Sequence, residues 1–272
     1  MLFKEFPNLQ WLKSKAENGF DRKGWPNVVL TVKSPKTLRD DIPGPLSFFS
    51  NVSGTTEVTV NNRTTVINED YFFISNNTQR YTLEIPKAAE TFNIHFAEGW
   101  EPGDFYNKLY RKDDTVKLFL GELQGDKTRL QREEILAKLL SYLAVIHRGE
   151  KLKLDNLDTA KVSTREEIIR RLHLATDHIY SNYQSDISLE DLSKISMLSK
   201  FHFLRAFQQA FGSSPHKFLN MVRLEKAKRL LTNPGLTITD ISKAVGVTDP
   251  SSFSRMFRKE TGVYPTVFRA RA

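Results

Sequence analysis

LEDLSKISMLSKFHFLRAFQQAFGSSPHKF, residues 189–218, and ITDISKAVGVTDPSSFSRMFRKETGVYPTVF, residues 238–268, are two versions of one motif. Leu192-Ser193-Lys194 matches Ile241-Ser242-Lys243. Arg205, Phe207, Gly212, Pro215 and Phe218 match Arg255, Phe257, Gly262, Pro265 and Phe268, each fifty positions on. The second version carries one extra residue in its central turn. Each reads as helix, short turn, helix, which is the outline of a DNA-reading unit.

The local chemistry of both copies fits that outline. In the first, Ser188 is placed to cap a short helix with Leu189, Leu192 and Ile195 inward, and Ser199 to cap a second that stops at Gly212. Phe203, Phe207 and Phe211 recur every four residues, the spacing of a buried stripe. Lys200, Phe201, Leu204, Arg205 and Gln208 are left on the other faces, where a recognition helix presents side chains to the major groove. In the second, Thr237 or Thr239 starts the first helix, with Ile238, Ile241 and Val245 inward, and Gly246 permits the turn. Asp249-Pro250 opens the second helix, and Phe253 and Phe257 are its buried pair. Ser251, Ser252, Ser254, Arg255 and Arg258 remain as candidate contacts. A helix from Pro215 to Leu231 joins the copies; its stripe of Phe218, Met221, Val222, Leu224, Ala227, Leu230 and Leu231 is wide enough to touch both.

Charge points the same way. The 272 residues carry a net charge of +8. Residues 1–160 hold 22 Lys/Arg and 22 Asp/Glu, so the whole excess lies in 161–272, with 18 and 10. A basic domain is the electrostatic footprint of polyanion binding. Cysteine is absent, which excludes disulfides and thiolate metal sites. No apolar run reaches the roughly 18 residues of a membrane span, and no signal peptide opens the chain. A soluble, cytoplasmic, nucleoid-associated protein is expected.

Upstream the pattern is different. Residues 1–27, with Trp11, Phe20 and Trp25, read as an arm or a short helix and loop. From Val28 to about Phe119 short strands alternate with turns: Val28–Val32, Leu46–Phe49, Glu57–Val60, a hairpin turn at Asn61-Asn62, then Thr64–Ile67, Tyr71–Ile74, Tyr81–Ile85 and Phe92–Phe96. Such spacing suggests a sandwich or small barrel. Residues 129–148 change to helical period, with Ile135, Leu136, Leu139, Leu140, Leu143 and Ile146 as an apolar stripe. That stripe packs either on its own sheet or against a second copy. Gly149 to Lys161 reads as a linker, after which Ser163 or Thr164 caps a helix whose apolar face is Ile168, Leu172, Ala175 and Ile179.

The segments R-L-x-x-A-x-x-L-L (Arg223 to Leu231), I-x-x-I-S, and F-S-R-x-F-R-K-x-x-G-x-x-P resemble the DNA-binding domain of the AraC/XylS family of bacterial transcription regulators, over about residues 165–269. The resemblance implies an α+β multidomain chain. Residues 1–148 would form a cupin-like β-barrel or sandwich with a following helix, for effector binding and dimerisation. Residues 149–163 would be a linker, and 164–272 an all-α domain with two helix-turn-helix motifs. It also implies base contacts at Phe201, Leu204 and Arg205 in the first recognition helix and at Ser251, Ser252, Ser254 and Arg255 in the second. Leu204 departs from the polar residue common there; leucine cannot hydrogen-bond a base but can pack on a thymine methyl. Arg205 and Arg255 either read bases, contact phosphate or brace their own motifs. Lys200, Lys217, Arg258 and Lys259 are phosphate candidates, with unpaired surface charge as the alternative for each. The implied partners are double-stranded DNA, a small effector, RNA polymerase and a second copy through 129–148. The DNA site is expected to be non-palindromic and to span two major grooves.

Chemistry in the N-terminal region finds little support. His95, with Glu98 three residues on, is the one histidine before residue 147, and the H-x-H pair of metal cupins is missing. No metal site, cofactor or catalytic residue is expected, and no phosphate loop or nucleophile elbow occurs. Two other readings stand beside the regulator: a sequence-tolerant architectural DNA-binding protein, and a cupin enzyme with an appended helical domain.

Overall fold

Alternating apolar residues build the N-terminal half. In the computed structural model, residues 27–158 are described except 34–35, 44–45, 61–62, 76–79, 86–88 and 97–104, and then residues 161–271. The N-terminal arm with its three aromatics, the Asn61-Asn62 turn and Glu98 lie outside the described residues. Two compact units divide the chain, residues 1–151 and 152–272.

Among its described residues the first unit holds nine strands: β1 Val28–Lys33, β2 Lys36–Pro43, β3 Ser47–Ser53, β4 Thr56–Val60, β5 Arg63–Ile67, β6 Tyr71–Ser75, β7 Arg80–Ile85, β8 Glu90–His95 and β9 Lys108–Arg111. They form two antiparallel sheets, ordered β1-β8-β3-β6-β9 and β2-β7-β4-β5. Among the described residues these strands close no single barrel, so of the two shapes expected the barrel is not formed. The period of two puts Phe48, Phe72, Ile74, Phe92 and Ile94 on one face of the five-stranded sheet, in a core shared with two helices. The opposite face turns to the other sheet, where Phe49 meets Tyr81 of β7 edge-on at 4.8 Å.

Helix α1, Asp114–Gln124, begins inside the region, Val28 to about Phe119, expected to hold short strands. Asp113 caps it by accepting from the Val116 amide at 2.9 Å, and Val116, Leu120 and Leu123 are its buried stripe. Helix α2, Arg129–Leu152, carries Ile135, Leu136, Leu139, Leu140 and Leu143 into the same core. The stripe therefore packs on its own sheet and is not left for a second copy. Lys108 on β9 pins the end of α2 through Glu150 at 2.7 Å. The helix continues through Gly149 to Leu152, four residues into the segment read as linker.

The second unit is all helical: α3 Val162–Asn182, α4 Leu189–Ile195, α5 Lys200–Phe211, α6 Pro215–Leu231, α7 Ile238–Ala244, α8 Pro250–Thr261 and α9 Pro265–Arg271. Lys161 stands at the cap position of α3 without a side-chain bond, so Ser163 and Thr164 fall inside the first turn instead of capping it. Ser188 and Thr237 each close a reciprocal capping box, with Asp191 and Asp240. Gly212 and Gly262 end α5 and α8 in the left-handed conformation, at φ of 66° and 81°.

Candidate nucleic-acid interface

The two motifs fold alike down to their turns. Leu198 donates its amide to Ser193 O at 3.0 Å, and Val247 donates to Ser242 O at 2.9 Å. Met197 and Gly246 hold the same left-handed turn position, at φ of 52° and 76°. The caps of the following helices are Ser199 and Asp249. The extra residue of the second copy therefore lies after the turn, at Thr248, immediately before its recognition helix.

Burial sorts each recognition helix into two faces. Phe203 and Phe207 on α5, and Phe253 and Phe257 on α8, are fully buried. Around α8 the core is completed by Leu224, Ala227 and Leu231 of α6 with Ile241 and Val245 of α7. Phe218 at the other end of α6 meets Phe207 at 5.5 Å, so the connecting helix contributes to both motifs. Leu189, expected inward, is exposed; the capping box alone starts its helix.

On the outer face of α5, Phe201 is 80% exposed and Leu204 37%. Phe201 thus stands almost wholly in water at the start of α5. Arg205 also faces solvent, yet its guanidinium is bonded to Asp158 at 2.5 Å. Lys200 is held by Glu190 at 2.7 Å, and this lysine, followed by Lys194, keeps the Glu190 carboxyl below the usual carboxylate range. On α8, Ser251 and Arg255 are exposed while Ser252 and Ser254 are half-buried. Arg255 lies back along its helix, donating to Ser252 Oγ at 3.2 Å. Arg258 stacks 4.6 Å over the Tyr264 ring and donates to its hydroxyl at 2.7 Å. Lys217 and Lys259 are exposed.

The two helix starts also differ electrically. Ser199 caps α5 with a neutral hydroxyl, whereas Asp249 caps α8 with a carboxylate that takes both the Ser251 and Ser252 amides, at 3.2 and 2.8 Å. The Ser252 bonds, side chain first, hold that carboxyl below its ordinary range. Negative charge at the start of α8 opposes a phosphate there.

A family model described as a helix-turn-helix domain matches residues 192–271. The lactose operon transcription activator of Staphylococcus xylosus is 35% identical over 95 residues, which are 35% of this chain and 34% of that protein. Residues 192–271 form an AraC/XylS-type helix-turn-helix domain. The Msm operon regulatory protein of Streptococcus mutans is 30% identical over 163 residues, 60% of this chain and 55% of its own length. The chain thus spans about half or less of the length of these curated relatives. Among solved structures, a probable AraC family transcriptional regulator from Rhodopseudomonas palustris is 28% identical, covering 38% of this chain and 96% of that one at a TM-score of 0.35.

Phe201, Leu204 and Arg205 share the outer face of α5, and Ser251, Ser254 and Arg255 one side of α8, with Ser252 further round that helix; Lys217 stands apart on α6. Sequence reasoning missed the partners: Asp158 for Arg205, Glu190 for Lys200 and Tyr264 for Arg258. Asp158 lies outside the repeat and nothing in its spacing marks it. Glu190 stands ten positions before Lys200, across a turn whose angle is a tertiary fact.

In the N-terminal unit, no group of three or more His, Cys, Asp or Glu among the described residues is placed to hold a metal. Two of the buried ionisable groups there are shifted from their ordinary range. His95 bonds Ser47 Oγ at 2.8 Å, and burial pushes its pKa down to about 4. Lys112 donates to Asn51 O at 2.6 Å; burial lowers its pKa to about 8, against the opposing pull of Glu69.

Proposed function

We propose that the protein is a sequence-specific DNA-binding transcriptional regulator. The observation that carries this reading is the pair of helix-turn-helix units. Each holds a pair of phenylalanines inside and turns an arginine outward from the same helical position, within the residues, 161–272, that carry all the net positive charge. The names of the relatives, an operon activator and an operon regulatory protein, support it. In this reading Phe201, Leu204 and Arg205 form an apolar-plus-cation surface suited to a thymine methyl beside a guanine. Ser251, Ser252, Ser254 and Arg255 form a more permissive, hydroxyl-rich one. Lys200, Lys217, Arg258 and Lys259 meet phosphates. RNA polymerase is a further partner, the protein works on the nucleoid in the cytoplasm, and no catalytic step is involved.

The N-terminal unit, a cupin-like sandwich in this reading, takes a small effector. Self-association uses the outward residues of α2, where Leu130 and Val145 are exposed, because the inward stripe is already committed to the sheet.

A salt titration on one preferred duplex and on random DNA tests the regulator. Contacts through phosphate weaken steeply with salt on every sequence, while a specific reader keeps a preference of roughly 10³-fold or more. An architectural binder would show the salt dependence without the preference.

A further inference from the structure

Three separate parts of the second unit meet at one short stretch of backbone. Tyr183, Gln184 and Ser185 lie between α3 and α4, just ahead of the first motif. Arg223, in the middle of α6 and 9% exposed, donates Nε to Tyr183 O at 2.8 Å and Nη2 to Ser185 O at 2.9 Å. Gly246, the turn of the second motif, abuts the carbonyl between those two. A β-carbon at 246 would stand 2.4 Å from Gln184 O, 2.7 Å from its carbonyl carbon and 2.8 Å from its Cα.

The turn conformation alone does not demand this glycine. The first motif holds the same left-handed position with Met197, whose side chain is 64% exposed. What differs at 246 is the approach of Gln184, a backbone contact that no side chain can relax. The guanidinium fork matches the carbonyls at the end of α3, where the helix leaves acceptors without intrahelical partners. Arg223 and Gly246 thus grip the same three residues from two sides, one from the connecting helix and one from the second motif.

We propose that this clamp sets the distance and angle between the two recognition helices, making Arg223 and Gly246 positioning residues that fix how many base pairs separate the two blocks of sequence the protein accepts. The proposal rests on reading both motifs as DNA readers. A 17-residue α6 spans about 25 Å, and Leu224, Ala227 and Leu231 pack its C-terminal half into the core of the second motif. The approach of Gly246 to Gln184 adds a direct contact between the second motif and the backbone that leads into the first. Inserting one base pair moves a block by about 3.4 Å and turns it by roughly a tenth of a helical turn, which a rigid pair cannot follow.

The test uses the full chain and the preferred duplex recovered from a random pool, with one base pair added or removed between its two blocks. The unaltered protein is expected to lose roughly 10-fold or more in affinity for either change, since one block's base contacts are broken. Arg223→Met should bind the original spacing more weakly and vary by no more than about threefold across the three spacings. Gly246→Ala should do the same, whereas Met197→Ala, at the matching position of the first motif, should keep the steep profile. The chain has no cysteine, so spin labels at Gln208→Cys on α5 and Glu260→Cys on α8 report the separation without DNA. A single narrow distance should broaden with Arg223→Met. Should that variant fail to fold, Arg223→Lys, which lacks the fork, should broaden it too. A narrow distance and an unchanged spacing profile in the Arg223 variants would overturn the clamp and leave DNA reading intact. If instead no duplex is preferred, the reading fails while the label distances still decide the clamp.

Discussion

At the scale of single residues, Arg205 carries the clearest consequence. Its exposed guanidinium is engaged by Asp158, so DNA must take it from a carboxylate. A surface ion pair of this kind contributes about 0.2–1 kcal/mol. Asp158→Asn should therefore tighten DNA binding by up to roughly fivefold, seen in titrations at low salt and fading as salt rises. Arg205→Ala should cost about 1–3 kcal/mol and relax selectivity at one base pair; an equal loss on every sequence would assign it to phosphate instead. His95 supplies a pH test of the N-terminal unit. Its folded pKa, about 4, lies below the ordinary 6.5, so the unfolded chain takes up a proton first. The stability tied to the neutral ring is complete above pH 6.5 and is lost as pH falls from 6.5 to 4. The full span is about 3 kcal/mol. Denaturant unfolding of wild type and His95→Asn at pH 7 and 4.5 should show the gap between the two proteins narrowing at the lower pH; a constant gap would contradict it.

At the scale of elements, burial separates phenylalanines that hold the fold from Phe201, which stands in solvent. Phe257 is fully buried and Phe201 is 80% exposed. Phe257→Ala should destabilise the helical unit by about 3–5 kcal/mol. Phe201→Ala should leave its unfolding within about 0.5 kcal/mol of wild type while weakening DNA binding, so that paired unfolding and binding measurements distinguish the two roles. Much of this was legible in the residues. Ser188, Ser199, Thr237 and Asp249 cap where their side chains dictate, and the four-residue recurrence of phenylalanine marks the inner face. Two strands were not legible. Lys36-Thr37-Leu38-Arg39-Asp40-Asp41-Ile42-Pro43 reads as a polar loop, yet it forms β2 at the edge of its sheet. β9 is likewise a short, charged edge. Helix α1 was hidden at the end of a stretch that reads as short strands, and only the Asp113 cap with Val116, Leu120 and Leu123 at helical spacing decides otherwise.

At the scale of the whole molecule, a neutral β-rich unit and a basic helical unit divide the chemistry. The charge asymmetry and the repeat were readable without coordinates, since both are properties of the chain. The pairing of Arg205 with Asp158, and the meeting of Arg223 and Gly246 at residues 183–185, were not, because each joins segments distant in sequence. The duplication is also unequal. One reader offers Phe201, Leu204 and Arg205 behind a neutral cap; the other offers serines and Arg255 behind a carboxylate, with Thr248 inserted ahead of its helix. Two such readers on one chain should recognise two different blocks of sequence, about one helical turn apart. Selection of bound duplexes from a random DNA pool by the full chain tests this most directly. The expected result is a single enriched, non-palindromic site with two unlike blocks centred about 10 base pairs apart. Enrichment of no sequence, or of a palindrome with two identical half-sites read by one motif each, would contradict it.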